Sequence, residues 1–313
     1  MKHTLRTLFK TTAVFVLLAL ACLGAQAKEV KLLAIGNSFA WSLNTYLPKV
    51  ANSVDDCKLV FKFAAFGGCE LSRHWKYISQ EEADPAKKIY FNGKRTLRDI
   101  LKDTEWDIIT IQQASHESWR PETYFPYAQN IVDFIKKYRP GAKIAIQQTW
   151  SYRSDCALLK KWKFDNSEMF KRAQSAYNTA AQKLGLEQIP TGIAVQLARE
   201  TLPEKFAAPA KGELATYHYP DLPRQAGDIV GKYFWQKNKE GEMQLKTDCI
   251  HLNNYGEYLQ ACVWFAFLFD RPATDITYTP PNMSEARAKK FREIADQAIA
   301  RIKHKNINNT RNK

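Results

Sequence analysis

The stretch Val30-Lys31-Leu32-Leu33-Ala34-Ile35-Gly36-Asn37-Ser38-Phe39 constrains the fold of this chain more than any other. A short apolar run is stopped by Gly-Asn-Ser. Apolar residues at helical spacing follow at once, at Leu43, Tyr46, Leu47 and Val50, which predicts strand, tight turn and helix. The pattern recurs along the chain. Residues 58–65 alternate around Leu59, Phe61 and Phe63 and end in Phe66-Gly67-Gly68, while 106–113 and 143–148 are apolar runs that finish in glutamines. A weaker fifth strand is expected at 186–190, and helical periodicity covers 124–138, 166–184, 193–199, 255–269 and 284–303. Strands alternating with helices imply a parallel sheet covered on both faces, and right-handed crossovers bring the turns after its strands to one edge. The expectation is one three-layer α/β/α domain with a five-stranded, mainly parallel, flavodoxin-like sheet. Ser38, Gly67-Gly68, Gln112-Gln113 and Gln147-Gln148 should converge on that edge.

The ends of the chain have a different character. Lys2, Arg6 and Lys10 precede an apolar run at 13–24, and Ala25-Gln26-Ala27 offers small residues for cleavage, so 1–27 is expected to be a secretory signal. The run is too short for a comfortable membrane span. A periplasmic or secreted protein of residues 28–313 follows, with lipid attachment at Cys22 as the minor alternative. Residues 203–242 lack periodicity and are expected to form a long insertion loop, and 304–313 a frayed tail.

Export makes disulfides feasible. Five cysteines remain, Cys57, Cys69, Cys156, Cys249 and Cys262, an odd number that leaves at least one free; a Cys69 to Cys249 bridge is one option. The net charge of +14 fits a solvated basic surface, or attraction to an anionic partner such as an acidic polysaccharide or a membrane surface. No nucleic-acid module is visible, which makes nucleic acid the weakest partner class. No glycine-rich phosphate loop and no Cys/His zinc pattern occur, so no cofactor or metal is expected.

Ser38 at the end of the first strand suits either a helix cap or a nucleophile. A nucleophilic serine needs a base, and the base works best when a carboxylate orients its ring. The candidates are His74, His116, His218, His251 and His304. His251 alone follows an aspartate, Asp248, by three residues, in a short segment before a helix where one turn would supply both groups.

Gly-Asn-Ser-Phe after the first strand, a glycine after the second, a polar cluster after the third and Asp-x-x-His near the C-terminus together resemble the SGNH (GDSL-type) hydrolases over nearly the whole mature chain. Within that superfamily the chain is most similar to an exported bacterial branch of uncharacterised function. That branch shares the Gly-Gly-Cys-x-Leu-x-x-His segment, here Gly67 to His74, the Gln112-Gln113 pair and Asp-x-x-His-Leu ahead of a Tyr/Leu-rich helix. The resemblance implies Ser38 as nucleophile, His251 as general base and acid, and Asp248 as the residue orienting His251. The oxyanion donors would be the backbone N–H groups of Ser38 and Gly68, with Gly67 the competing register. The third block departs from the family's Gly-x-Asn-Asp, reading Ala114-Ser115-His116-Glu117. His116 takes the Asn position by simple register and Gln113 is the nearest amide donor.

The activity implied is a serine esterase that removes a small acyl group, acetyl above all, from a carbohydrate through an acyl-serine intermediate. Gln112, Trp75 and Trp150 are the expected substrate contacts, with Trp119 and Tyr152 as further aromatics near the loops. Two alternatives stay open: a lipid or thioester hydrolase on the same triad, and a carbohydrate-binding protein without turnover.

Overall fold

Leu32 and Leu33 are neighbours in the chain and both are fully buried, one on each side of strand β1 (Lys28–Gly36). Alternation of side chains along the strand sends Val30 and Leu32 into one core and Leu33 and Ile35 into the other. The sheet is therefore covered on both faces, as a purely parallel sheet must be. This is a computed structural model, and it describes residues 27–84 and 86–311. Nearly all of the expected signal segment, Cys22 included, lies outside the described residues.

Five parallel strands run in the order β2 (Cys57–Ala65), β1, β3 (Ile108–Ile111), β4 (Lys143–Gln147) and β5 (Glu187–Ile189). The chain turns one way from β1 to β2 and comes back to place β3 on the other side. That makes the carboxyl ends of β1 and β3 the switch point, where α/β sheets open their ligand crevice.

The helices in chain order are α1 (Ser38–Trp41), α2 (Leu43–Ala51), α3 (Leu71–Ala83), α4 (Leu97–Asp103), α5 (Tyr127–Tyr138), α6 (Ala157–Trp162), α7 (Asn166–Leu184), α8 (Thr191–Thr201), α9 (Asn254–Phe269) and α10 (Glu285–Arg311). Helices α2, α8, α9 and α10 bury their apolar residues against one face of the sheet, and α3, α4, α5 and α7 against the other. Residues from Tyr258 to Phe269 are buried nearly all round α9, which marks it as the internal helix of its layer. Helix α7 is capped by Asp165, whose carboxylate accepts the Glu168 N–H at 2.7 Å.

Three expectations are corrected. The segment 203–242 is not one loop: β6 (Val230–Lys237) pairs antiparallel with β7 (Met243–Leu252). The sequence signal was the aromatic run Tyr233-Phe234-Trp235 followed by a short loop with Gly241 at φ +88°. The preceding residues are tethered by Arg199, whose Nε donates to both Asp228 oxygens at 3.1 and 3.0 Å. Helix α10 continues to Arg311, through much of the stretch expected to fray. Finally, the disulfide joins Cys249 to Cys156 and not to Cys69, leaving Cys57, Cys69 and Cys262 as buried thiols.

His74 braces the end of β1. Its Nε2 donates to the Gly36 carbonyl at 2.9 Å, so Nδ1 accepts the Tyr90 hydroxyl at 3.0 Å and the ring is neutral. Complete burial drags its pKa from 6.5 down to about 4, against the favourable pull of the Gly36 carbonyl. An unfolded chain would protonate this ring first as pH falls, so native stability is full above 6.5 and declines as pH drops toward 4. The gap corresponds to about 3 kcal/mol. Urea unfolding followed between pH 7 and pH 4 should show this loss, and His74→Gln, which keeps one donor and one acceptor, should flatten it. An unchanged pH slope in His74→Gln would assign the loss to other groups.

Candidate active site

Asn37, not Ser38, caps the helix that follows β1. Asn37 Oδ1 accepts the Phe39 N–H at 3.1 Å, which leaves the Ser38 hydroxyl for another partner. Ser38 Oγ lies 2.9 Å from His251 Nε2. Helix α1 is a single turn, so an extended helix dipole contributes little here and the local N–H groups carry the electrostatics.

The Asn37 side chain also joins three turns. Its Oδ1 accepts from Gln112 Nε2 at 2.6 Å, and its Nδ2 donates to the Cys69 carbonyl at 3.2 Å. Gly36 makes room for this, since a Cβ there would stand 2.8 Å from Gln112 Cδ. Gln112 is thus a buried brace beneath Ser38, 1% exposed, and not the substrate contact expected.

Asp248 and His251 do not sit in a turn ahead of a helix. They lie in β7, where Val230 pairs with Leu252 and Lys232 with Asp248, so that Gly231 alone faces Cys249, Ile250 and His251. Such a bulge bends the strand and re-aims a side chain. Gly231 has φ +86°, and a Cβ there would meet the Asp248 carbonyl oxygen at 2.7 Å, so only glycine fits opposite the bulge. The Asp248 carboxylate gathers the bulge around itself. Its Oδ1 accepts the N–H groups of Ile250 and His251 at 2.8 and 3.0 Å, and its Oδ2 accepts from His251 Nδ1 at 2.9 Å. Burial pushes the Asp248 pKa up, but the His251 ring and the two N–H groups outweigh it and hold the carboxyl well below the usual range. As an anion it fixes the proton of the neutral ring on Nδ1, and Nε2 is left as the acceptor facing Ser38.

The bulge is tied to the loop after β4 at three points. Trp150 Nε1 donates to the Ile250 carbonyl at 2.9 Å, the Arg153 N–H donates to the Cys249 carbonyl at 2.9 Å, and Cys156 is bonded to Cys249. Trp150 also stacks face to face on Phe39 with ring centroids 3.9 Å apart, while Phe39 meets the His251 ring edge-on at 5.6 Å. Fully buried, Trp150 is a wall behind Ser38 and His251 and not an open surface for a sugar. The other aromatics are likewise engaged. Tyr152 is buried, Trp75 packs half-buried against the core on the opposite face of the sheet, and Trp119 rests on Trp162 and Phe164.

Gly68 lies at φ +55° in an exposed turn that is fixed by the Cys69 N–H donating to Phe66 and the Phe66 N–H donating to Gly36. The N–H groups of Ser38 and Gly68, and that of Gly67, have no protein acceptor among the described residues. Gln113 is not available to help them. Its Nε2 donates to the carbonyl and hydroxyl of Thr123 at 3.0 and 3.1 Å, and its Oε1 accepts from Leu71 and Ala114 at 3.0 and 2.8 Å. His116 holds Glu70 instead, with Nε2 at 3.1 Å from Oε1. A carboxylate only accepts, so the neutral His116 ring carries its proton on Nε2 and offers Nδ1 as an acceptor; it donates from Nδ1 only as an imidazolium. Cys69, beside the turn, is fully buried and burial pushes its thiol up to about 12, so it stays protonated.

Sequence reading missed Phe39, Arg153 and the bracing role of Asn37. Only the last left a local signal, an Asx residue directly before a helix.

No curated protein matches the chain significantly. Among solved structures, a DUF4886 family protein from Bacteroides uniformis is 24% identical, with 87% of this chain and 95% of that one covered at a TM-score of 0.67, which shows a shared fold. A protein assigned as an SGNH hydrolase from Slackia heliotrinireducens is 19% identical, covering 77% of this chain and 100% of that one at 0.48. A lipase/acylhydrolase from Enterococcus faecalis is 9% identical, covering 82% and 100% at 0.42. The family model described as a domain of unknown function, DUF4886, matches residues 31–208, more than half of the sequence, and the chain belongs to that family.

Proposed function

We propose that this protein is a serine hydrolase that cleaves carboxylic esters through an acyl-Ser38 intermediate. The observation that carries the proposal is the continuous relay from Ser38 Oγ to His251 Nε2 and, across the ring, from His251 Nδ1 to Asp248 Oδ2, both hydrogen bonds 2.9 Å. As Ser38 Oγ attacks the ester carbonyl, His251 Nε2 takes its proton, and the anionic Asp248 stabilises the imidazolium that forms. The Nε2 proton then passes to the departing alkoxide, leaving the acyl group on Ser38. Water then attacks the acyl carbonyl as His251 Nε2 takes its proton, and the Ser38 Oγ–acyl bond breaks with that proton passing to Ser38 Oγ, which releases the acid and restores the serine. The free N–H groups of Ser38 and Gly68 are the donors for the oxyanion of both tetrahedral states. The His251 side chain is 43% exposed, so substrate and water approach the relay directly from solvent.

The finer reading is an acetyl ester of a sugar, which follows from the resemblance to exported SGNH hydrolases. Purified protein given p-nitrophenyl acetate and longer-chain esters should prefer the short chain. Ser38→Ala and His251→Ala should each lower kcat by more than about 10³-fold. Equal rates in wild type and Ser38→Ala would overturn the hydrolase reading, and a preference for long chains would move the substrate to lipids. Asp248→Asn frees the ring to adopt the wrong tautomer and should cost about 10⁴ in kcat with little change in KM. A loss confined to KM would remove Asp248 from the relay.

A further inference from the structure

Of the eight tryptophans, Trp41 alone is exposed, with 44% of its surface open to solvent. It stands three residues after Ser38 in the same helical turn, a spacing that puts both side chains on one face. The far edge of its indole, Cη2, lies 4.0 Å from where a Gly67 side chain would begin, so the ring flanks the glycine turn that carries the proposed oxyanion donor. The indole has no aromatic partner and its N–H no acceptor among the described residues. Trp75 and Trp150, the aromatics expected to meet substrate, are instead engaged in packing, as are Trp119 and Tyr152.

The same glycine turn carries a charged chain. Arg73 Nη2 donates to the Gly67 carbonyl at 2.8 Å, Arg73 Nε pairs with Glu70 at 3.0 Å, and Glu70 pairs with His116 at 3.1 Å. All three side chains are part-exposed, at 34, 29 and 38%. These contacts account for one face of each group and leave Arg73 Nη1 and His116 Nδ1 with no protein partner among the described residues.

We propose that Trp41 and the Arg73–Glu70–His116 chain form the subsite for the alcohol half of the ester, and that this alcohol is a pyranose. The inference rests on the hydrolase reading and supplies its substrate class from the chain's own residues. A pyranose has an apolar face of C–H groups, which suits a flat exposed indole, and a rim of hydroxyls that both donate and accept. Arg73 offers donors, Glu70 acceptors, and neutral His116 an acceptor at Nδ1. A fatty acyl chain would gain nothing from the charged side and would want an enclosed apolar slot.

The test compares glucose pentaacetate, a cyclic ester, with triacetin, an acyclic one. Trp41→Ala should widen the ratio of kcat/KM for triacetin over glucose pentaacetate by about tenfold, through KM, because the stacked face is lost. Trp41→Phe should recover part of that ratio. An unchanged ratio in Trp41→Ala, or an equal loss on both esters, overturns the subsite. Titration calorimetry of Ser38→Ala with glucose pentaacetate, with and without Trp41→Ala, judges the platform without turnover. Weaker binding in the double variant supports it, and equal or absent binding overturns it. Absence of Ser38-dependent turnover on both esters would sink the hydrolase reading separately.

Discussion

The sheet edge that carries Ser38 hangs on the hydrogen bonds that converge on Gly36 and Asn37. The Gly36 carbonyl accepts from Phe66 N–H and from His74, and the Asn37 amide holds Phe39, Gln112 and Cys69 at once. The three partners of Asn37 come from three different connections of the sheet, so one buried network sets the positions of the turns after β1, β2 and β3 together. Buried polar groups are costly when unpaired, and a network of this kind therefore has few alternative arrangements. The burial of His74 adds a pH dependence to that rigidity.

The second support is a local irregularity. A regular hairpin would point residues 248 and 251 to opposite sides of the strand, since their separation is odd. The bulge opposite Gly231 folds the backbone so that Asp248 reaches both the ring and the N–H groups of the residues it must orient. A bulge is a weak point in a two-stranded ladder, and here it is tied down by Trp150, Arg153 and the Cys156–Cys249 bond. Arg153 is itself buried between Phe206 and Tyr233, with Asp155 neutralising its charge. His251 is therefore positioned by the loop after β4 as much as by its own hairpin.

The third block shows how far a motif can mislead. Gln113 and His116 both fit the place of a missing Asn by register, yet the structure gives Gln113 to Thr123 and Leu71 and gives His116 to Glu70. Gln113 in effect staples the turn after β3 to the first N–H of α3. Neutral His116 has only an acceptor left. The two turn N–H groups thus remain the donors an oxyanion would meet first.

The parallel sheet and its two covered faces were legible in the sequence because apolar alternation and helical spacing are local consequences of burying both faces of a parallel sheet. The approach of Ser38 to the Asp-x-x-His segment was expected from the resemblance to the SGNH hydrolases and not from sheet topology, since the hairpin that carries His251 stands apart from the parallel sheet. What the sequence could not specify were features decided by packing between distant segments: the hairpin bulge, the pairing of Cys249 with Cys156, the burial of Trp150 under Phe39 and the exposure of Trp41. A tryptophan's composition says it will bury most of its surface. Which one stays open depends on whether another element covers it, and only the tertiary structure decides that.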